Sequence, residues 1–249
     1  MKKKNLLITG GSTRIGREIA LHFSKKGWNI IIHYFRSSAK AKILKKIIEK
    51  NEVKVILVKA DLKNSKQVQN IFSIANRKLG KIDCLINNAA LFEKDDILNF
   101  TDKSWNDHLN INLLAPTILI KNFAKQAPKK TTSNIINIID QRVFKLTPVF
   151  MSYTLSKSAL YTLTKTMAMR LSPSIKVNGV APGPTIKSKR QSTRHFNKQA
   201  GSTLLKKPVG LKDICDTVEF LMNNNSITGQ VIAVDSGQNL IWDIKNEKE

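Results

Sequence analysis

The sequence predicts an α/β fold: one doubly wound parallel sheet of about seven strands, with helices on both faces. Three observations carry that prediction. Apolar, strand-like runs alternate with helical patterns along the whole chain. The runs are continuous stretches of Val, Ile and Leu, as in strands buried on both faces. A glycine-rich turn follows the first run and opens the first helix, the mark of a Rossmann-type sheet. In order, the strands are expected at Asn5–Thr9, Trp28–Tyr34, Val53–Ala60, Ile82–Ala89, Asn134–Ile139, Lys176–Ala181 and Gln230–Val234. The helices are expected at Arg14–Lys25, Ala39–Lys50, Ser65–Lys78, Asp102–Ala127, Ser152–Leu171 and Leu211–Met222. Pro128 and Pro173 fall just past two of them, as stop signals. Short connections and the absence of a linker or repeat make 1–249 a single domain. The stretch Thr185–Lys207 has no strong period and reads as a long loop of the lid or binding type.

Composition narrows the class. Hydrophobic residues make up 41% and charged residues 24% of the 249, ordinary for a globular chain. No run approaches the length of a membrane span. The basic Met1–Lys4 and apolar Leu6–Ile8 are cut short by Thr9-Gly10-Gly11, too early for a signal-peptide core. Cys84 and Cys215 lie in apolar segments without metal-site spacing, so buried thiols in a reducing cytoplasm are expected. The net charge is +24, which raises the question of a nucleic-acid partner. Against that, 34 of the 42 basic residues are Lys, whereas base-edge reading favours Arg. Lys, Ile and Asn, the residues of AT-rich codons, account for 85 positions. The charge is therefore read as codon bias, with neither nucleic acid nor membrane as a partner.

The turn after the first strand reads Thr9-Gly10-Gly11-Ser12-Thr13-Arg14-Ile15-Gly16. Glycine permits a tight turn and close approach of backbone to a pyrophosphate, and the helix start supplies N–H groups and positive potential. The spacing T-G-x-x-x-x-x-G resembles the short-chain dehydrogenase/reductase family, whose usual pattern is T-G-x-x-x-G-x-G. Arg14 replaces the middle glycine. With Arg17 it is similar to the pteridine reductase branch, and the resemblance runs from about Asn5 to Gly237.

Strand two ends in His33-Tyr34-Phe35-Arg36-Ser37, with no acid to take the ribose 2′-hydroxyl of NAD. Arg36, Ser37 and Arg14 can instead hold a 2′-phosphate, and pteridine reductases with a similar stretch use NADPH. The resemblance implies that Asp61, in Ala60-Asp61-Leu62, bonds the adenine amino group. It also implies that Asn88 and Ala89 line the cofactor, and that Pro182-Gly183-Pro184-Thr185 borders the carboxamide, Thr185 reaching a phosphate.

Tyr153 and Lys157 are four apart near a helix start and share a face. A nearby ammonium is expected to lower the phenol pKa. The pair resembles the family's catalytic Tyr and Lys, with Tyr153 as acid and Lys157 on the nicotinamide ribose. Asn112 matches the family's Asn, which holds a water in a proton relay. Where the family has a serine thirteen positions before the tyrosine, this chain has Asp140. An ionised carboxylate cannot donate a hydrogen bond to a ketone. It can accept from an amino-pyrimidine or relay a proton to a ring nitrogen, and pteridine and dihydromonapterin reductases carry Asp there. Phe92, three residues past Ala89, matches the Phe that stacks on the pterin in those enzymes. The Ser that often lies two residues before it is Ala90 here.

The expected activity is NADPH-dependent reduction of a pteridine, of the dihydromonapterin, dihydrobiopterin or dihydrofolate type. The alternative is a carbonyl reductase such as a 3-oxoacyl carrier-protein reductase, and a further one is a non-catalytic NADPH- or nucleic-acid-binding module. Ile186–Lys207 holds seven Lys and Arg and no acid, which as a lid would favour an anionic substrate. The resemblance implies a homotetramer built on the helices at 102–127 and 152–172.

Overall fold

Apolar side chains alternate between the two faces of each strand, and helices cover both faces. The computed structural model describes residues 3–127, 133–188 and 190–241. Seven strands form one sheet in the order β3-β2-β1-β4-β5-β6-β7, every adjacent pair parallel. They are β1 Asn5–Ile8, β2 Asn29–Tyr34, β3 Val55–Lys59, β4 Cys84–Asn87, β5 Ser133–Ile138, β6 Ile175–Pro182 and β7 Val231–Val234.

Helices α1 Arg14–Lys25 and α8 Leu211–Asn223 lie on one face. There Phe23, Ile214, Val218 and Leu221 pack with Leu6, Ile8, Ile32 and Ile86 of the sheet. Helices α3 Ser65–Leu79 and α5 Ala115–Gln126 lie on the other. Their Ile71, Phe72, Leu119 and Phe123 pack with Leu7, Ile31, Leu85 and Ile135. Phe72 meets Phe123 edge to face at 6.4 Å. Each such fully buried side chain contributes roughly 1.5–3 kcal/mol, so the continuous apolar runs are strands because both their faces are covered.

The strand order reverses between β1 and β4, which opens a crevice at the carboxyl ends of the strands. The candidate residues come from strand ends, from loops, from helix starts and from the π turn.

Two expectations need correction. The pattern at 102–127 is α4 Asp102–Leu109 and α5, joined by a π-helical turn at Asn110–Leu114. The wider turn accompanies the tertiary bonds that hold the Asn112 side chain inward. The stretch 185–207 is not all loop: it contains α7 Thr193–Gly201, whose cap Ser192 accepts from the His195 N–H at 3.1 Å. The remaining helices, α2 Ser38–Glu49 and α6 Met151–Leu171, fall where expected. Pro128 lies outside the described residues. Among the described residues no helix is long and apolar enough to cross a membrane.

Candidate active site

Gly10 adopts a φ of +61°, in the left-handed region open to glycine. A Cβ at Gly16 would fall 2.5 Å from both the Asn88 side chain and the Gly10 carbonyl oxygen. Thr9 Oγ accepts from the N–H groups of Asn88 and Ala89 at 2.9 and 3.0 Å. Asn88 Nδ2 donates to the Thr9 carbonyl at 2.8 Å. Asn88 and Ala89 therefore brace the turn. Ser12 and Ser37 share a hydrogen bond of 2.6 Å, linking the turn to the start of α2.

His33 supports this turn from below. Its Nδ1 accepts from Gly10 N–H at 3.2 Å, and its Nε2 lies 3.1 Å from the Ala60 carbonyl as donor. Both ring nitrogens are thus engaged by the main chain in the neutral tautomer. Burial pushes its pKa down to about 4, against a weaker opposing pull from the Ala60 bond and Asp61. The His33 ring thus holds the turn that is expected to meet the cofactor.

Arg14 keeps the backbone shape of the glycine it replaces, with φ +54°. That conformation costs a non-glycine residue roughly 1–2 kcal/mol. Its guanidinium donates to the carbonyls of Ile186 and Lys187 at 2.8 and 3.0 Å, so it ties the turn to the lid.

The residues fit a 2′-phosphorylated dinucleotide. The α1 cap Thr13 makes no side-chain cap bond, which leaves first-turn N–H groups for a phosphate. Ile15 is half-buried in that first turn. Arg36 is exposed, rests 5.3 Å from the Phe35 ring, and pairs with no carboxylate among the described residues. Tyr34 ends β2. Asp61 and Leu62 follow β3, Asp61 Oδ1 accepting from Lys63 N–H at 3.0 Å. Pro182 ends β6, and Gly183 lies so near Asp235 that a Cβ would fall 2.7 Å from it. Thr185 Oγ donates to the Gly183 carbonyl at 3.1 Å.

The catalytic candidates converge. Tyr153 is 4% exposed, and its hydroxyl donates to Asp140 Oδ2 at 2.8 Å. Asp140 Oδ1 accepts from the Arg142 N–H at 2.9 Å and lies 3.6 Å from the Arg142 guanidinium. Lys157 is 2% exposed, and its Nζ donates to the Ile138 carbonyl at 2.7 Å. Burial lowers the Lys157 pKa to about 8, partly opposed by Asp140.

Tyr153 departs from expectation. Burial first, then the charge and hydrogen bond of Asp140, push its pKa well above the usual value, with only Arg142 opposing. The expected lowering by Lys157 is overturned, because the phenol donates to a carboxylate while Nζ, 5.9 Å from the ring centroid, bonds a backbone carbonyl.

Asn112 is fully buried; its Nδ2 donates to the Leu91 carbonyl and to Ser156 Oγ, both at 3.0 Å. Its Oδ1 accepts from Leu91 N–H at 2.8 Å. Both amide hydrogens are taken, so any hold on a relay water falls to its other acceptors.

Several residues here escaped sequence reasoning. Phe150 stacks on Phe92 at 4.5 Å with planes 10° apart, so one face of Phe92 is already covered by a ring of its own chain. Phe92 also meets Tyr153 edge-on at 4.7 Å. The Arg142 guanidinium lies 5.2 Å from the Phe92 ring centroid and 5.0 Å from that of Phe150.

Behind them, Asp95, His108 and Ser152 form a buried polar network. Asp95 accepts from the Ser152 N–H at 3.1 Å and from the Ser152 hydroxyl, capping α6 just before Tyr153. Its carbonyl accepts from Phe150 N–H at 2.8 Å. His108 Nε2 accepts from Glu93 N–H at 3.2 Å, so Nδ1 carries the hydrogen, which lies between the Ser104 carbonyl at 2.9 Å and Ser152 Oγ at 2.6 Å. The network fixes the Phe92 loop against the catalytic helix. No local pattern announces it.

Comparisons with known proteins agree with this geometry. A family model described as Enoyl-(Acyl carrier protein) reductase matches residues 11–239. Among solved structures, FolM Alternative dihydrofolate reductase 1 from Brucella canis, complexed with NADP, superimposes with TM-score 0.95 and 37% identity, covering 99% of this chain and 98% of that one. Its counterpart from Brucella suis, also with NADP, gives TM-score 0.94 and 38% identity, covering 98% of both chains. A curated relative, the 3-oxoacyl-[acyl-carrier-protein] reductase FabG of Staphylococcus epidermidis, is 29% identical over 94% of this chain and 98% of its own length. With its seven-stranded parallel sheet, glycine turn and Tyr153/Lys157 pair, the chain belongs to the short-chain dehydrogenase/reductase family of oxidoreductases.

Proposed function

We propose that the chain reduces a pteridine with NADPH, at a C=N bond of a dihydropterin or dihydrofolate ring. The observation that carries this reading is the Asp140 carboxylate accepting the Tyr153 hydroxyl at 2.8 Å. A serine hydroxyl at that position would donate to a ketone, and a carboxylate cannot. The similarity to NADP-bound FolM structures supports the same reading.

Arg36, Ser37 and Arg14 hold the 2′-phosphate, the α1 turn holds the pyrophosphate, and Asp61 meets the adenine. Lys157 orients the ribose. When bound, the reduced dinucleotide supplies the hydride. Phe92 stacks on the flat ring, an arrangement worth roughly 0.5–1.5 kcal/mol beyond burial. Tyr153, kept protonated by its surroundings, gives its proton to the ring nitrogen next to the carbon that gains the hydride. Asp140 takes up a replacement proton through water and returns it to Tyr153 Oη. The Lys157 ammonium offsets the charge left on the phenol. Parallel orientation of the two reactants is the main rate device, since well-oriented partners save roughly 7–11 kcal/mol of barrier.

The test is NADPH oxidation with dihydromonapterin, dihydrobiopterin and dihydrofolate, alongside an acetoacetyl thioester. Turnover of a dihydropterin is the expected result; reduction of the thioester alone supports a 3-oxoacyl carrier-protein reductase, the reading that FabG similarity favours.

The same reading assigns the chain to the cytoplasm, in keeping with the buried free thiols of Cys84 and Cys215. It also makes the protein a homotetramer. Leu155 and Met169 of α6 are 47% and 83% exposed and Leu114 of the π turn 43%, apolar surface suited to subunit contacts.

A further inference from the structure

The cations of α7 line a cleft of about 590 Å³ together with Ser192, Gln199 and Ser202. It is an open surface depression, its lining drawn from α7 and its flanks and exposed except at Gln199. Arg194 and Lys198 lie one turn apart, with His195 beside them, and Ser192 and Ser202 flank the helix at its two ends. No acid lines the cleft, and among the described residues no ion pair involves Arg194, His195 or Lys198. Like charges one turn apart weaken a helix by a few tenths of a kcal/mol. Among the described residues no ion pair offsets them.

The segment bearing α7 is pinned to the active site. Arg190 donates to the carbonyl of Phe92, the residue proposed to stack on the ring. Arg14 holds the carbonyls of Ile186 and Lys187. Val209 N–H returns to the Pro184 carbonyl at 3.0 Å. Gln191 Nε2 donates to Gln199 Oε1 at 2.8 Å, tying the strap to the helix. The strap that leads into α7 is therefore bonded directly to Phe92 of the active site.

We propose that this cleft is a subsite for an acidic substrate tail of the γ-linked oligoglutamate class, with Arg194 and Lys198 taking successive carboxylates. This rests on the pteridine reading above and adds to it the chemical class of what is attached to the ring. Arg pairs with carboxylates in a bidentate way, and a row of carboxylates matches a row of cations. A pterin with a short neutral side chain gains nothing from the site.

The experiment uses the full chain with NADPH and compares a tail-less dihydropterin, dihydrofolate and its tri-γ-glutamyl form. In the natural protein KM should fall about five-fold or more from the mono- to the triglutamyl substrate at low salt, with kcat unchanged. The gain should vanish at high salt and in R194Q/K198Q, while tail-less turnover changes by less than about two-fold. Equal KM for the two tailed substrates, or a loss common to all three, overturns the proposal.

Failure to turn over any pterin overturns the reaction reading instead. Calorimetric binding of pteroyl-triglutamate against pteroyl-monoglutamate to the NADPH-loaded protein then decides the subsite, and no difference between them overturns it. A selective loss in R194Q/K198Q with an acetoacetyl carrier protein, and not with a short acetoacetyl thioester, makes the cleft a protein-docking site and also overturns it.

Discussion

Tyr153 and Asp140 share one hydrogen bond of 2.8 Å, and its direction sets the chemistry of the site. The phenol donates and the carboxylate accepts. A buried phenol beside a carboxylate holds its proton, so Tyr153 stands ready as an acid rather than a base. Arg142, with its guanidinium 3.6 Å from Asp140, keeps that carboxylate paired without taking the lone pairs that face Tyr153.

Lys157 supplies the opposite charge. Its pKa, lowered to about 8 by burial, makes it cationic below that pH and neutral above. The cation offsets the phenolate formed during proton transfer, so kcat should decline as pH rises through about 8. Lys157→Met should remove that limb and about 10²-fold of rate. A pH profile of single-turnover rates, flat from pH 7 to pH 9 in the natural protein, would contradict this.

His33 links stability to pH. Folded, it titrates near 4 because it is buried; unfolded, near 6.5. Between those values only the unfolded chain binds the proton, so stability is lost as pH falls from about 6.5 to about 4, by about 3 kcal/mol. Urea unfolding at pH 7 and pH 4.5 should show a larger loss for the natural protein than for His33→Gln. Equal losses would place the acid sensitivity elsewhere.

Much of this was legible in the chain. The β1–α1 turn, the parallel strands and the Tyr153/Lys157 spacing are local patterns, each fixed by a few consecutive residues. Asp140 was found as a departure at a defined offset from Tyr153. The direction of the Tyr153 shift was not legible, since it depends on which group the hydroxyl meets in space. The Phe92–Phe150 stack and the Asp95–His108–Ser152 network join residues far apart in sequence. Helix α7 was hidden because its few apolar residues carry little periodic signal; Ser192, a good cap ahead of Thr193, was the available clue.

Arg14 combines strain with contact. Arg14→Gly relieves a left-handed arginine, so thermal stability should hold or rise by up to about 1 kcal/mol. On the proposed 2′-phosphate contact, the same change should lower the preference for NADPH over NADH about ten-fold. Equal weakening of the two cofactors, measured by fluorescence titration, would remove the phosphate role and leave Arg14 as a lid tie only.

Ser152 tests the buried network. Ser152→Ala withdraws a hydroxyl from Asp95 and from His108, which should cost about 1–3 kcal/mol of unfolding free energy. The Phe92 loop should loosen with it, raising KM for the pterin while NADPH affinity stays. A variant with unchanged stability and unchanged KM would show that the network does not position the site.

The most direct measurement is the ratio of kcat/KM for dihydrobiopterin to that for an acetoacetyl thioester, in the natural protein and in Asp140→Ser. A carboxylate at Tyr153 predicts a ratio well above one that collapses by about 10²-fold or more on substitution, with NADPH affinity kept. A ratio below one in the natural protein, or one that Asp140→Ser leaves unchanged, would contradict the assignment of pteridine chemistry to this carboxylate.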